Sequence, residues 1–180
     1  MTKSNIIHAE NLHVLILGLG SAGSRLIQKY ENKYEDAAEL RNIRMKGFDR
    51  CTYGLDATEI DRVSLKRRIK GISSVLLVNC GGGRAGGEMT SLAAVHALSK
   101  KMPVHVVLSY PLLWEGNRRA RNAIALHEEL KAKGATVSVV DGKKISDIEF
   151  EGYEQEFAVL DSLMLKEVGL WVAEAQRDGQ

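Results

Sequence analysis

Five short, largely apolar runs set the strongest limit on what this chain can fold into. They are HVLILGLG at 13–20, NIRMKGF at 42–48, SSVLLVNC at 73–80, VHVVLSY at 104–110 and TVSVVDG at 136–142. Each reads as a buried strand. Between them lie SRLIQKYENKYEDAAELR, EMTSLAAVHALSKK and EGNRRARNAIALHEELKAK, whose apolar residues recur at three- and four-residue spacing, as in amphipathic crossover helices. Strand and helix in alternation, with Val/Leu/Ile-rich strands, predict a parallel sheet covered on both faces. The expected fold class is α/β, a three-layer Rossmann-like sheet.

The chain of 180 residues contains only two prolines, Pro103 and Pro111, and has no internal repeat or low-complexity tract, so residues 1–180 are expected to form one domain with no second. DATEIDRVSLKRRIK, at 56–70, is polar and helix-prone and reads as a solvated face. The closing stretch carries Phe157, Leu160, Leu163, Met164, Val168, Leu170, Trp171 and Val172, a long helix that is either a core helix or a partner surface. A net charge of +2 gives no reason to expect a nucleic-acid partner. Cys51 and Cys80 are too few for a metal cluster or a secreted disulfide scaffold. The opening MTKSNIIHAENLH lacks an apolar core of signal length, and no stretch has the length of a membrane span. A cytoplasmic protein is expected.

Two glycine-rich segments follow strands and precede helices. In LILGLGSAGSRL, Gly18, Gly20 and Gly23 permit either backbone approach to a phosphate at a helix N-terminus or a tight turn with close helix–strand packing. In NCGGGRAGGEMTS, five glycines occupy the seven positions 81–87. Such a run is entropically costly and suits backbone N–H groups facing a ligand. Loops after the first and third strands of an open parallel sheet can converge. Two phosphate-binding loops suit a di- or triphosphate.

The stretch from VLLVNCGGGRAGGEMTS through YPLLWEGNRR to SVVDGKKI resembles the nucleotide-binding half of the tubulin and FtsZ family, whose signature loop is GGGTGTG. LILGLGSAGSRL is similar to that family's first glycine loop, YPLLWEGNRR to its proline-aromatic Phe-Glu-Gly stretch, and EFAVLDSLMLKEVG to its central helix. The similarity runs from about His13 to about Ala175, with a shortened region between Asp56 and Ile72. It implies a GTP or GDP site. Gly20, Ser21 and Ala22 would lie along the phosphates, and Gly81, Gly82, Gly83, Arg84, Ala85 and Gly86 would wrap the phosphate tail. Arg84 and Gly86 stand where the family keeps threonines, so two hydroxyl donors are replaced, and Arg84 either clamps phosphate or points into solvent. Glu115 would accept from a ribose hydroxyl, with Arg119 near the base. Read without the resemblance, the two residues lie one turn apart on a predicted helix and form a surface ion pair.

Base identity would rest on Asp161, Asp141 and the ring of Phe157. A carboxylate matches the adjacent N1–H and amino donors of guanine, whereas adenine presents a bare ring nitrogen there. Asp141 stands where the family has asparagine. Asp49, ending the second strand, would bind the ribose of a dinucleotide or contact the nucleotide in the family reading. His8, His13, His96, His105 and His127 have no metal-like spacing, and Mg²⁺ would come with the triphosphate.

The chain ends at Gln180, before the family's acidic catalytic loop, so any GTPase activity is expected to be slow or absent. The leading expectation is a minimal guanine-nucleotide-binding module that self-associates or joins a tubulin/FtsZ-like partner. The alternative is an NAD(P)-binding oxidoreductase or redox sensor using Gly18, Gly20, Gly23 and Asp49. A third is a scaffold that no longer binds a ligand.

Overall fold

The computed structural model describes residues 14–33, 43–48, 72–146 and 152–178, with 43–48 described as backbone. Asp49, Cys51 and the 56–70 segment lie outside the described residues.

Strands β1 (Val14–Leu19), β2 (Ile43–Phe48), β3 (Ser74–Cys80), β4 (Val104–Tyr110) and β5 (Thr136–Asp141) form one sheet in the order β2-β1-β3-β4-β5. All four pairings are parallel, with Leu17 opposite both Lys46 and Leu77, and Leu77 opposite Val106. Because every strand runs the same way, all the carboxyl ends lie along one edge. The order reverses between β1 and β3, the position where such sheets open a crevice.

Helices α1 (Gly20–Lys33), α2 (Arg84–Ser99), α3 (Asn117–Ala132), α4 (Gly142–Ser146) and α5 (Tyr153–Asp178) cover the sheet, and a 3-10 turn spans Leu113–Glu115. Alternate strand residues face opposite layers. On one face Leu15, Leu17, Leu77 and Val106 meet Met89, Ala93 and Ala97 of α2 and Leu126 and Leu130 of α3. On the other, Ile16, Leu76, Val78 and Val107 meet Leu26 and Ile27 of α1 and Leu160, Met164, Val168 and Val172 of α5. The architecture is therefore the expected three-layer α/β/α arrangement.

The long helix α5 is a core helix along one face and solvent-exposed along another. Leu160, Met164, Val168 and Val172 recur every four residues and are buried, while Leu163 and Leu170, seven apart, are exposed.

Two local readings need correction. Helix α2 begins at Arg84, so Gly86 and Gly87 belong to its first turn and only Gly81–Gly83 form a loop. Helical glycine costs roughly 1 kcal/mol relative to alanine, but at Gly86 a Cβ would stand 2.9 Å from Asn79 Nδ2. Glu115 and Arg119 do not share a helix. Glu115 ends the 3-10 turn, and Gly116, at φ 92° and ψ 162°, breaks the chain direction before α3 starts. Their side chains nevertheless meet.

Candidate nucleotide site at the carboxyl edge

The two glycine segments come together at the edge beyond β1 and β3. Gly20 opens α1 with φ 78°, a left-handed conformation that disfavours a side chain. A Cβ there would lie 3.1 Å from Gly86 Cα, so the start of α1 and the first turn of α2 are in backbone contact. Neither helix has an acidic residue in its first turn, and the α2 N-cap, Gly83, supplies no side-chain cap. The first amides of both helices thus present uncancelled partial positive charge at one edge.

The other glycines divide by role. A Cβ on Gly23 would lie 2.5 Å from the Val78 carbonyl, and one on Gly18 would strike the Gly23 carbonyl, so this pair lets α1 pack onto the strands. Gly81 donates its N–H to the Ser109 carbonyl at 3.0 Å and to Ser109 Oγ at 3.2 Å, and a Cβ would overlap that carbonyl. Gly82, at φ 89°, lies against the Arg119 backbone and accepts from Asn122 Nδ2 at 3.3 Å. Gly83 alone of the triplet faces open space, with nothing within 4 Å of its would-be Cβ. Gly81 and Gly82 anchor the loop to β4 and α3; Gly83 leaves it open.

Around the end of β3 the remaining groups converge on Cys80. Burial, reinforced by the Asp161 carboxylate, pushes its thiol up to about 12, while Arg25 and a hydrogen bond with Ser109 oppose this and Glu115 adds to it. Residues of α1, β4, the 3-10 turn and α5 therefore all act on this one thiol. Asp161 is buried, and its Oδ2 accepts from Lys29 Nζ at 2.7 Å, which leaves Oδ1 outside that bond. Glu115 uses both oxygens. Oε2 accepts from the Leu112 N–H at 2.9 Å and Oε1 from Arg119 Nη1 at 2.6 Å. It holds the turn and Arg119 together.

Phe157, partly exposed and one turn before Asp161, meets Trp114 edge-on with ring centroids 5.3 Å apart. Ser21 is exposed and Ala22 half-buried in the first turn of α1, beside Gly20, and Ala85 is half-buried in that of α2. Arg84 points outward, with Nε 2.8 Å from Glu88 Oε1. Asp141 lies at the end of β5, where its Oδ1 accepts the Lys143 N–H at 3.1 Å and so serves the turn into α4.

Sequence reading missed four participants. Arg25 and Lys29 are an i, i+4 basic pair following the first glycine turn, a pattern visible in SRLIQKY. Asn79 is buried at the end of β3 and donates to Thr90 Oγ1 at 2.8 Å, while its Oδ1 has no partner among the described residues. Thr90 in turn donates to the Gly86 carbonyl at 2.7 Å and fixes the first turn of α2. No local signal marks Asn79 or Thr90 in the sequence.

A groove of about 860 Å³ runs between α2 and α3 toward Glu129 and Lys133, and of the candidate site residues Gly82, Gly83, Arg84 and Arg119 line it. Gly20, Ser21 and Asp161 do not line it. Among the described residues no group of three or more His, Cys, Asp or Glu side chains converges as a metal site, and no helix is long and apolar enough to cross a membrane.

No protein-family model matches the sequence, and no curated protein is detectably similar to it. Solved structures do match the fold. FtsZ from M. jannaschii, solved as an empty dimer, superposes with a TM-score of 0.78 at 19% identity, covering 92% of this chain and 56% of that one. CetZ1 from Haloferax volcanii, a GDP-bound monomer, gives 0.70 at 13% identity, covering 89% and 60%. CetZ2 from the same organism, a GTPγS-bound protofilament, gives 0.66 at 18% identity, covering 92% and 59%. The chain thus has the tubulin/FtsZ-type α/β fold and spans a little over half the length of these solved chains.

Proposed function

We propose that this tubulin/FtsZ-type domain binds a guanine nucleotide, GDP or GTP, at the carboxyl edge of its sheet and associates with copies of itself or with a longer relative when loaded. The observation carrying the reading is the backbone contact between Gly20 and Gly86, which brings the N-termini of α1 and α2 to one place. Two helix N-termini without acidic first-turn residues favour a polyphosphate over a single phosphate. Asp161 Oδ1 would accept from guanine, the ring of Phe157 would stack on the base, Glu115 would face the ribose, and Arg119, held by Glu115, would lie near the base. Mg²⁺ would accompany GTP, coordinated mainly by phosphate oxygens and water.

Hydrolysis is proposed to be slow. Phosphoryl transfer depends on groups held against the terminal phosphate. Residues 84 and 86 offer a guanidinium directed at Glu88 and a bare glycine where the resembling family has threonine hydroxyls. The proposed setting is a single cytoplasmic domain.

A thermal-shift panel with GTP, GDP, ATP and NAD tests the assignment, because a ligand bound only by the folded state raises its stability. At about 100 times the dissociation constant the gain is roughly 2.7 kcal/mol. Stabilisation by GDP and GTP above ATP is expected. Stabilisation by NAD alone, or by none of the four, would overturn it.

A further inference from the structure

The geometry points to Trp114 as a positioning residue that locks the base-facing turn of α5 onto the ribose-facing turn after β4; this rests on the guanine-nucleotide reading above. Three neighbouring residues of α5 grip one indole. Its ring lies 4.7 Å from that of Tyr153 and 5.3 Å from that of Phe157, the latter at 89°, and Nε1 donates to Glu156 Oε2 at 2.9 Å. Tyr153 and Phe157 are four apart, hence on one face of α5, and Asp161 continues the same stripe one turn further. Trp114 itself sits beside Glu115, which holds Arg119 through a 2.6 Å contact. One side chain therefore joins the two elements that would grip opposite ends of a nucleoside.

The exposure of these groups argues against a purely structural role. Trp114 is 44% exposed, Tyr153 64% and Phe157 36%, so the cluster adds little to the core. An indole between two aromatic rings restricts their rotamers, and edge-to-face pairs contribute beyond the area they bury. Holding Phe157 in one orientation before ligand arrives lowers the ordering cost of binding.

The test uses the full chain. Trp114→Ala should weaken GDP binding about tenfold by calorimetry, the size expected when two aromatic contacts are lost. Trp114→Phe, which keeps ring contacts but loses the bond to Glu156, should bind within about threefold of the parent. In a Trp171→Phe background Trp114 is the remaining tryptophan, and its emission should change saturably with GDP, a reading that needs no alanine variant to fold. Unchanged affinity in Trp114→Ala together with emission indifferent to bound GDP would overturn the bracket and leave the nucleotide site standing. Failure of the parent to bind GDP would remove both.

Discussion

Glycine 23 and glycine 87 are both helical, yet alanine should have opposite effects at the two positions. At Gly23 the added methyl would lie 2.5 Å from the Val78 carbonyl, a rigid strand atom, whereas at Gly87 the nearest atom is Leu126 Cδ2 at 3.8 Å. Gly23→Ala should destabilise by about 1–3 kcal/mol through overpacking. Gly87→Ala should stabilise by about 0.5–1 kcal/mol through reduced chain entropy, raising Tm by roughly 1–4 °C. Calorimetric melting of both variants checks the pair, and a shift of equal sign would contradict the packing assigned to them. Cys80 offers a second test. With its thiol pushed up to about 12 by burial and Asp161, the unfolded chain ionises first as pH rises. The contribution to stability is complete below the unfolded value of 9.0 and is lost between there and about 12. Cys80 is half-buried, so in a Cys51→Ser variant iodoacetamide at pH 8 should label the native chain more slowly than the denatured one, and equal rates would contradict the upward shift of the thiol. Which glycines lie open at the sheet edge and which press against carbonyls was not legible in the sequence, because both settings select the same residue.

At the level of elements, legibility followed length and continuity. Each strand begins and ends within one residue of its apolar run, as with 104–110 for β4 and 73–80 against Ser74–Cys80 for β3. Helix α4, of five residues, is too short to show a period, and the first turn of α2 is disguised by glycines that propensity reads as loop. The Trp114 bracket was illegible for another reason: it joins residues about 40 apart, which no local pattern records. Burial on α5 gives a prediction at this scale. Met164→Ala removes a fully buried side chain and should cost about 2–5 kcal/mol in urea unfolding. Leu170→Ser, on the exposed face, should change stability by no more than about 0.5 kcal/mol. Similar losses at both would mean that α5 is covered on both sides in the isolated chain.

For the molecule as a whole, a parallel sheet with reversed order between β1 and β3 explains why segments 60 residues apart in sequence share one edge. Leu163 and Leu170 leave apolar surface on α5, and the proposed association would use such surface. Sedimentation velocity with and without GTPγS should show mass rising with nucleotide; a strict monomer at high concentration in both would argue against it. The central claim, a guanine site built on two abutting helix N-termini, is tested most directly by titrating GDP and ADP into the protein by calorimetry. The account predicts one GDP per chain, with ADP at least about tenfold weaker because a carboxylate at Asp161 has no matching donor pair in adenine. Equal affinity for the two, or no heat from either, would contradict it.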